Sequence, residues 1–307
     1  MTAPVRAAPL RRLRARELEL ELGERPWLMG VVNASPDSFS DGGRHGTLEQ
    51  HVEHAGELLA AGADILDVGG QSARADRPPV AEAQELERVV PLLERLGSEL
   101  DALVSIDTYS PAVARAAIAA GARIVNDVSA LRNSELARVC ADTGAALVVM
   151  HTLATPGQRR QDPELYGEDI AGEVIGFLRE RMTAARAAGV AAEQMIVDPG
   201  PDFAKTPAQT VALLAHAERL HELGRPVLMA VSRKDFIGTL TARPPRGRLA
   251  GTLAALAHGI DAGAHIFRVH DVAAAADFVK VRRALAGELE VSADLALAEE
   301  LRFEALG

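Results

Sequence analysis

Leu28 to Gly70 reads LMGVVNASPDSFSDGGRHGTLEQHVEHAGELLAAGADILDVGG, and this stretch sets the architecture. It opens on a short apolar, branched run, Leu28 to Asn33, and crosses a loop rich in turn formers. It then enters a segment with apolar residues three and four apart and ends on a second apolar run, Ile65 to Gly69. Apolar residues at that spacing make one face of a helix, whereas short branched runs bounded by Gly, Pro and Asp make buried strands. Gly62 falls where a left-handed cap closes a helix. The unit is strand, loop, helix, strand.

The same unit recurs down the chain. Further apolar runs stand at Leu103 to Asp107, Ile124 to Asp127, Leu147 to His151, Met195 to Asp198, Val227 to Ser232 and Ile266 to His270, which makes eight with the first two. Helical stretches such as SPAVARAAIAAG and RLAGTLAALAHGIDAG lie between them, and Gly121, Gly144, Gly189 and Gly263 repeat the cap position. Strands that are apolar along nearly their whole length need cover on both faces, which a parallel sheet with crossover helices supplies. An open doubly wound sheet and a closed barrel both meet that need. Eight units, with no G-x-G-x-x-G after the first strand, favour the α/β class as a TIM (β/α)8 barrel.

Ahead of the barrel, Leu18, Leu20 and Leu22 alternate with Glu17, Glu19 and Glu21, a period-two pattern that predicts a β-hairpin turning at Gly23-Glu24. Residues 1–17, with Arg6, Arg11, Arg12, Arg14 and Arg16, are expected to form a flexible, solvated arm, and 18–307 a single barrel domain, since no linker divides them. Gly287 to Gly307 is expected to add an amphipathic terminal helix.

The apolar runs end on polar residues: Asn33, Asp107, Asn126-Asp127, His151, Asp198, Ser232, and Arg268 with His270. In a barrel these ends surround the mouth where the active site sits. Helix capping accounts for one Asp or Asn before a helix, but poorly for seven strands at once. The other histidines, His45, His51, His54, His216, His221, His258 and His265, fall away from strand ends and read as surface or packing residues.

Composition narrows the function. At 307 residues, 48% hydrophobic and 25% charged, the chain can bury a large core. A net charge of -10 offers no basic stripe, so neither nucleic acid nor an acidic membrane is an expected partner. Cys140 is the single cysteine and lies in an apolar helical stretch, which excludes disulfides and Cys-rich zinc sites and reads as a packed small hydrophobe. Without an apolar run of about 18 residues, or an apolar leader with a small-residue cleavage site, the chain is expected in the cytoplasm.

Two loops and three later segments carry chemistry. The first loop mixes Pro36, Gly42 and Gly43 with Asn33, Asp37, Phe39 and Asp41; the second, from Gly69, carries Arg74 and Arg77, for which ordinary surface charge is the plain alternative. DPGPDFAKT (Asp198 to Thr206), SRKDFIG (Ser232 to Gly238) and RVHDV (Arg268 to Val272) bring basic side chains out of strand ends. Lys234, Arg268 and His270 suit a diphosphate leaving group, while Asp107 and Asp198 suit a guanidine-like ring edge that donates paired N–H bonds. A heterocycle bearing a phosphate or diphosphate meets both demands.

From about Trp27 to Ala286 the strings M-G-V-V-N-x-S-P-D-S-F-S-D-G-G, G-A-D-I-L-D-V-G-G, S-I-D-T, I-V-N-D-V, V-M-H, D-P-G-x-x-F-A-K-T, S-R-K-x-F-I-G and R-V-H-D-V stand in order, and together they resemble the dihydropteroate synthases. That pterin-binding family joins a pterin methyl diphosphate to p-aminobenzoate. The resemblance implies that Asp107, Asn126, Asp198 and Lys234 hold the pterin edge, with Met150 and Arg268 against its faces. It places Asn33, Arg268 and His270 at the diphosphate, with Asn33 also a ligand of Mg²⁺. Phe39, Arg74, Phe203, Ser232 and Lys234 would form the aminobenzoate pocket, and Asp41 would steady a pterin cation. Asp41, Arg74, Lys234, Arg268 and His270 are thereby the residues nearest the chemistry. The family also implies a homodimer, for which the run from Leu249 to Ile260 is one candidate face.

The chain departs from the pattern in two places. Where the family usually reads G-E-S-T-R-P-G, this chain has Gly70-Gln71-Ser72-Ala73-Arg74-Ala75-Asp76, and Pro201-Asp202 replaces an apolar residue and a glycine. Both lie on the amine side, and Asp202 sets an acid beside the aminobenzoate pocket. Two other readings therefore stand beside the synthase: a paralogue using another nucleophile or binding pterin only, and a pterin-dependent methyltransferase.

Overall fold

The structure is a computed structural model that describes residues 8–34, 46–71, 80–158 and 160–302. Two antiparallel strands come first, β1 (Arg11–Ala15) and β2 (Leu18–Leu22), with Arg11 opposite Leu22 and Ala15 opposite Leu18. The hairpin therefore turns at Arg16-Glu17, not at Gly23-Glu24, and residues 11–15 of the arm expected to be solvated are its first strand. Leu13 and Ala15 alternate with Arg12 and Arg14, so the arginines conceal a period-two strand within a run that looks merely basic. Arg16 sits at φ 59 in the turn.

Eight parallel strands follow: β3 (Trp27–Asn33), β4 (Ile65–Gly69), β5 (Leu103–Asp107), β6 (Ile124–Asp127), β7 (Ala146–Met150), β8 (Met195–Asp198), β9 (Leu228–Met229) and β10 (Ile266–Val269). Their hydrogen-bonded order runs β8-β7-β6-β5-β4-β3-β10-β9, and a bridge between Val197 and Val227 joins the two ends. This is the expected TIM barrel, preceded by its hairpin. The seventh strand is shorter than its apolar run, because Ala230 to Ser232 leave the ladder.

The helices pack outside: α1 (Leu48–Ala60), α2 (Glu82–Glu99), α3 (Pro111–Ala119), α4 (Ser134–Thr143), α5 (Ile170–Ala187), α6 (Pro207–Leu214), α7 (Asp235–Thr241), α8 (Leu249–Asp261) and α9 (Val272–Leu285). Local chemistry starts several of them. Thr47 and Thr206 close capping boxes with Gln50 and Gln209, and Ser110 accepts from Val113 N ahead of Pro111. Gly144 ends α4 in the left-handed conformation expected of it. Beyond α9 the chain to Arg302 holds only a short 3-10 turn, Glu299–Leu301, instead of the expected terminal helix, and Leu295, Leu297 and Leu301 are exposed. No helix among the described residues is long and apolar enough to cross a membrane.

Two cores result. Outward-facing strand residues such as Leu66, Val125, Val149 and Phe267 join the helices, with buried Cys140 among them. Inward-facing Met29, Ile65, Ile124, Val148, Ile196 and Ile266 fill the barrel, and Leu13, Ala15 and Leu22 of the hairpin pack beneath them. The hairpin is a plug for the end of the barrel opposite the strand C-termini. Each such leucine removed from water contributes roughly 1.5–3 kcal/mol.

Candidate active site

Side chains on a strand alternate sides, so the residue two places after an inward-facing one also faces inward. Above Ile65, Ile124, Val148, Ile196 and Ile266 that rule sets Asp67, Asn126, Met150, Asp198 and Arg268, a layer polar but for Met150 on an apolar floor. Asn33, Asp107 and Ser232 end their strands or runs with the same parity. The rule also removes two residues read from sequence as facing the mouth. Asp127 points outward and accepts from Ser129 N and Leu131 N at 2.7 and 2.6 Å, holding the turn after β6. His151 points outward onto the rings of Tyr166 and Phe177.

Arg268 organises one half of the layer. Its Nε donates to Asp67 Oδ2 at 2.6 Å and its Nη2 to Asp107 Oδ2 at 3.0 Å, while Asn126 Nδ2 donates to the same Asp67 oxygen at 3.1 Å. Burial works against the guanidinium charge, but Asp67 and Asp107 outweigh it, and the arginine's pKa is raised. Burial also raises the Asp107 carboxyl; Arg268 opposes the rise and the negative neighbours Asp67, Glu85 and Asp127 add to it. This half therefore presents a carboxyl group beside a fixed cation, with little water between them.

Opposite stands Asp198, raised to about 6 by burial, with Gly200 N, Lys234, Lys205 and Arg268 acting the other way. Its Oδ1 accepts from Gly200 N at 2.7 Å. Gly200 lies at φ +64, and a Cβ there would come within 2.1 Å of His151 O, so only glycine fits. The next loop is fastened from below by Lys205, whose side chain is fully buried. Its Nζ donates to Gly200 O and Phe203 O, both at 3.0 Å, and lies 2.8 Å from His151 Nδ1. Three polar partners surround the nitrogen, which is how a buried lysine is tolerated without water.

Above that loop Lys234 Nζ sits 4.3 Å from the centre of the Phe203 ring. Burial lowers the lysine's pKa, against the support of Asp202 and then Asp198. The Ser-Arg-Lys segment is pinned on its other flank. Arg248 Nη1 donates to Arg233 O at 2.8 Å and Lys234 O at 3.1 Å, and Arg233 pairs with Asp271 through Nε at 3.0 Å. His270 Nδ1 lies 3.0 Å from Ser232 Oγ, which also accepts from His270 N at 3.2 Å. Desolvation of the ring lowers the imidazole's pKa first, and the Arg268 and Arg233 charges lower it further.

Asp202, set apart as a departure from the family pattern, is engaged with the protein itself. Its Oδ2 accepts from Asp235 N at 2.5 Å and Phe236 N at 3.3 Å, and its Oδ1 from Thr210 Oγ1 at 3.1 Å. The other departure has a similar account in part, since Gln71 Oε1 accepts from Val80 N at 3.1 Å. That bond needs an acceptor oxygen, which the amide supplies as a carboxylate would.

Ten of the sequence-predicted site residues, Asn33, Asp107, Asn126, Met150, Asp198, Phe203, Ser232, Lys234, Arg268 and His270, lie around this one mouth. Phe39, Asp41 and Arg74, with Ala73, Ala75 and Asp76, lie outside the described residues. Sequence reading passed over Asp67 and Lys205, although both stand in quoted motifs. The signal for Asp67 was its inward parity after Ile65; for Lys205, nothing in DPGPDFAKT says that the lysine turns beneath its own loop. The described residues hold no group of three His, Cys, Asp or Glu arranged to bind a metal.

Carboxyl groups facing one edge of the mouth and cations facing another, at the C-terminal end of a parallel barrel, define the class as a barrel with its charged site where barrel enzymes bind their substrates. The family profile for pterin binding enzymes matches residues 29–270. A dihydropteroate synthase of Synechocystis sp. is 43% identical over 265 residues, 86% of this chain and 91% of that protein. The solved Xanthomonas albilineans dihydropteroate synthase with 4-aminobenzoic acid superposes with a TM-score of 0.82 at 44% identity, covering 90% of this chain and 98% of that one. Burkholderia cenocepacia dihydropteroate synthase complexed with 7,8-dihydropteroate gives 0.81 at 39%, covering 91% and 98%. The chain belongs to the dihydropteroate synthase family of pterin-binding enzymes, which are transferases.

Proposed function

We propose that this protein condenses 6-hydroxymethyl-7,8-dihydropterin diphosphate with p-aminobenzoate, giving 7,8-dihydropteroate and diphosphate. The observation that carries the reading is the placement of Asp107, Asp198 and Arg268 around one mouth with the Lys234–Phe203 pair on its rim. Asp107, Asn126, Asp198 and Lys234 hold the pterin edge, and Met150 and Arg268 lie on its faces. Asn33, Arg268 and His270 face the diphosphate, whose departure leaves a resonance-stabilised pterin cation steadied by Asp41. Phe39, Arg74, Phe203, Ser232 and Lys234 hold the arylamine, whose nitrogen attacks the methylene carbon. Such catalysis is positioning plus electrostatic stabilisation, and it requires no protein nucleophile.

Mg²⁺ fits the donor chemistry in one way. It binds through one or two protein oxygens plus substrate phosphates and water, and Asn33, exposed at the end of β3, offers such an oxygen. When bound it would neutralise the charge gathering on the diphosphate. Asn33 orients that end, and Arg268 and His270 line it.

A homodimer is part of the reading, supported by exposed Leu240, Leu249, Val281 and Leu285 on α7, α8 and α9. So is a cytoplasmic location, with neither nucleic acid nor membrane as partner, in keeping with the net charge of -10. Diphosphate release from the pterin diphosphate and p-aminobenzoate is the test. Release with saturation in both substrates is expected; pterin binding without release would overturn the reading in favour of a paralogue.

A further inference from the structure

We propose that Asp202 is a positioning residue for the arylamine half of the site: its carboxylate ties the segment carrying Phe203 to the segment carrying Lys234, so that the pair is set before the amine arrives. The inference rests on the reaction proposed above. Its ground is geometric. Asp202 sits at φ 67, a left-handed conformation that aspartate tolerates better than most residues. From there Oδ2 reaches Asp235 N and Phe236 N, across 33 and 34 positions of chain. Phe203 follows Asp202 directly and Lys234 directly precedes Asp235, so each member of the 4.3 Å pair is one residue from an end of the tie.

Thr210 locks the carboxylate's rotation. Its fully buried hydroxyl accepts from Asp202 N and donates to Asp202 Oδ1, both at 3.1 Å. An acid so engaged, with backbone N–H groups on one oxygen and a hydroxyl on the other, does not turn toward the mouth to repel a carboxylate substrate. Charge-assisted bonds of this kind are about twice as strong as neutral ones. An ordinary cap would support α7 and nothing more; a tie between the two loops also fixes where the amine's ring and carboxylate rest.

Asp202→Gly is informative because glycine accepts the positive φ while the whole side chain is removed, and Asp202→Asn, which keeps the side chain's length and one acceptor oxygen, controls for the backbone freedom that glycine adds. In the full chain, Asp202→Gly is expected to raise KM for p-aminobenzoate about tenfold, equivalent to ~1.4 kcal/mol, while KM for the pterin diphosphate stays within about twofold. Asp202→Asn should fall between. Independently of turnover, amide hydrogen exchange at Asp235 and Phe236 should quicken about tenfold in Asp202→Gly, with β8 unchanged. Unaltered exchange would overturn the tie. Faster exchange with an unchanged amine KM, or with both KM values rising together, would reduce Asp202 to a helix cap. If the unsubstituted protein releases no diphosphate with p-aminobenzoate, the reaction reading fails and the arylamine role with it. That failure is distinguishable because it precedes any substitution.

Discussion

Arg268 Nε stands 2.6 Å from Asp67 Oδ2, and the two differ sharply in setting: the Asp67 side chain is 0% exposed, the Arg268 side chain 19%. One end of the pair is sealed inside the barrel and the other opens on the mouth. Asp67 thus anchors, from below, the guanidinium proposed to lie against pterin and diphosphate. Its substitution by alanine leaves Arg268, partly open to the mouth, with Asp107 as its remaining carboxyl partner, at a cost below the roughly 3–5 kcal/mol of an uncompensated buried ion, about 2 kcal/mol. Urea unfolding should show the loss, and kcat/KM measured at a temperature where the variant stays folded should fall by at least about tenfold. A stable variant with normal kinetics would mean that Asp107 alone suffices to hold Arg268.

The Asp198 carboxyl, raised to about 6 by burial, predicts how pterin affinity varies with pH. The carboxylate is the form that accepts paired N–H bonds, so affinity should climb from pH 5 to 7 by up to about tenfold and then level. Calorimetric titration with a pterin checks it, and Asp198→Asn should both weaken binding and flatten the profile. In the unliganded protein the sign is reversed. Between about pH 4 and 6 the native carboxyl keeps a proton that the unfolded chain has released, so this group's contribution makes stability decline as pH rises.

Lys205 works in the opposite sense. Burial lowers its pKa to about 7, so between there and the ordinary lysine range the unfolded chain carries more protons than the native one. Stability from this group therefore grows as pH rises through that window. Comparing urea unfolding of the wild type and Lys205→Met at pH 7 and pH 9, the difference should shift toward the wild type by on the order of 1–2 kcal/mol. A difference independent of pH would mean that the ammonium stays charged and fully compensated by its three acceptors.

Leu22 belongs to the plug beneath the barrel, far from the polar layer. Leu22→Ala should cost about 2–5 kcal/mol in unfolding free energy, as buried leucine truncations do, yet leave kcat/KM within about twofold at a permissive temperature. Loss of activity in step with stability would show instead that the plug shapes the mouth.

Much of this was legible in sequence because both governing periods are local. Alternation in Ile65-Leu66-Asp67 or Ile124-Val125-Asn126, and the three-and-four spacing of α1, follow from backbone geometry alone. Where reading failed, a local signal was overlaid or lacking. Arginines concealed β1, and the parity of Asp127 and His151 was not applied to strand ends. The tail after Leu285 carries apolar residues that stay exposed, and apolar spacing alone does not make a helix without burial of one face. The doubt about Asp202 came from composition near a pocket, and composition does not say which way a carboxylate points.

The sequence by itself determined an eight-fold alternation of buried strand and amphipathic helix, the polar residues that end the strands, and the motifs that assign the family. Only the tertiary structure decided the partners. Arg268 meets Asp67 and Asp107 across 201 and 161 positions of chain because closure brings β10 beside β3, and from there one strand at a time to β4 and β5. Asp202 meets Asp235 because two loops leave neighbouring strands at the same end. Side-chain period is fixed by bonds between adjacent residues, whereas these pairings are fixed by the register of a closed sheet, which no short stretch of the chain contains.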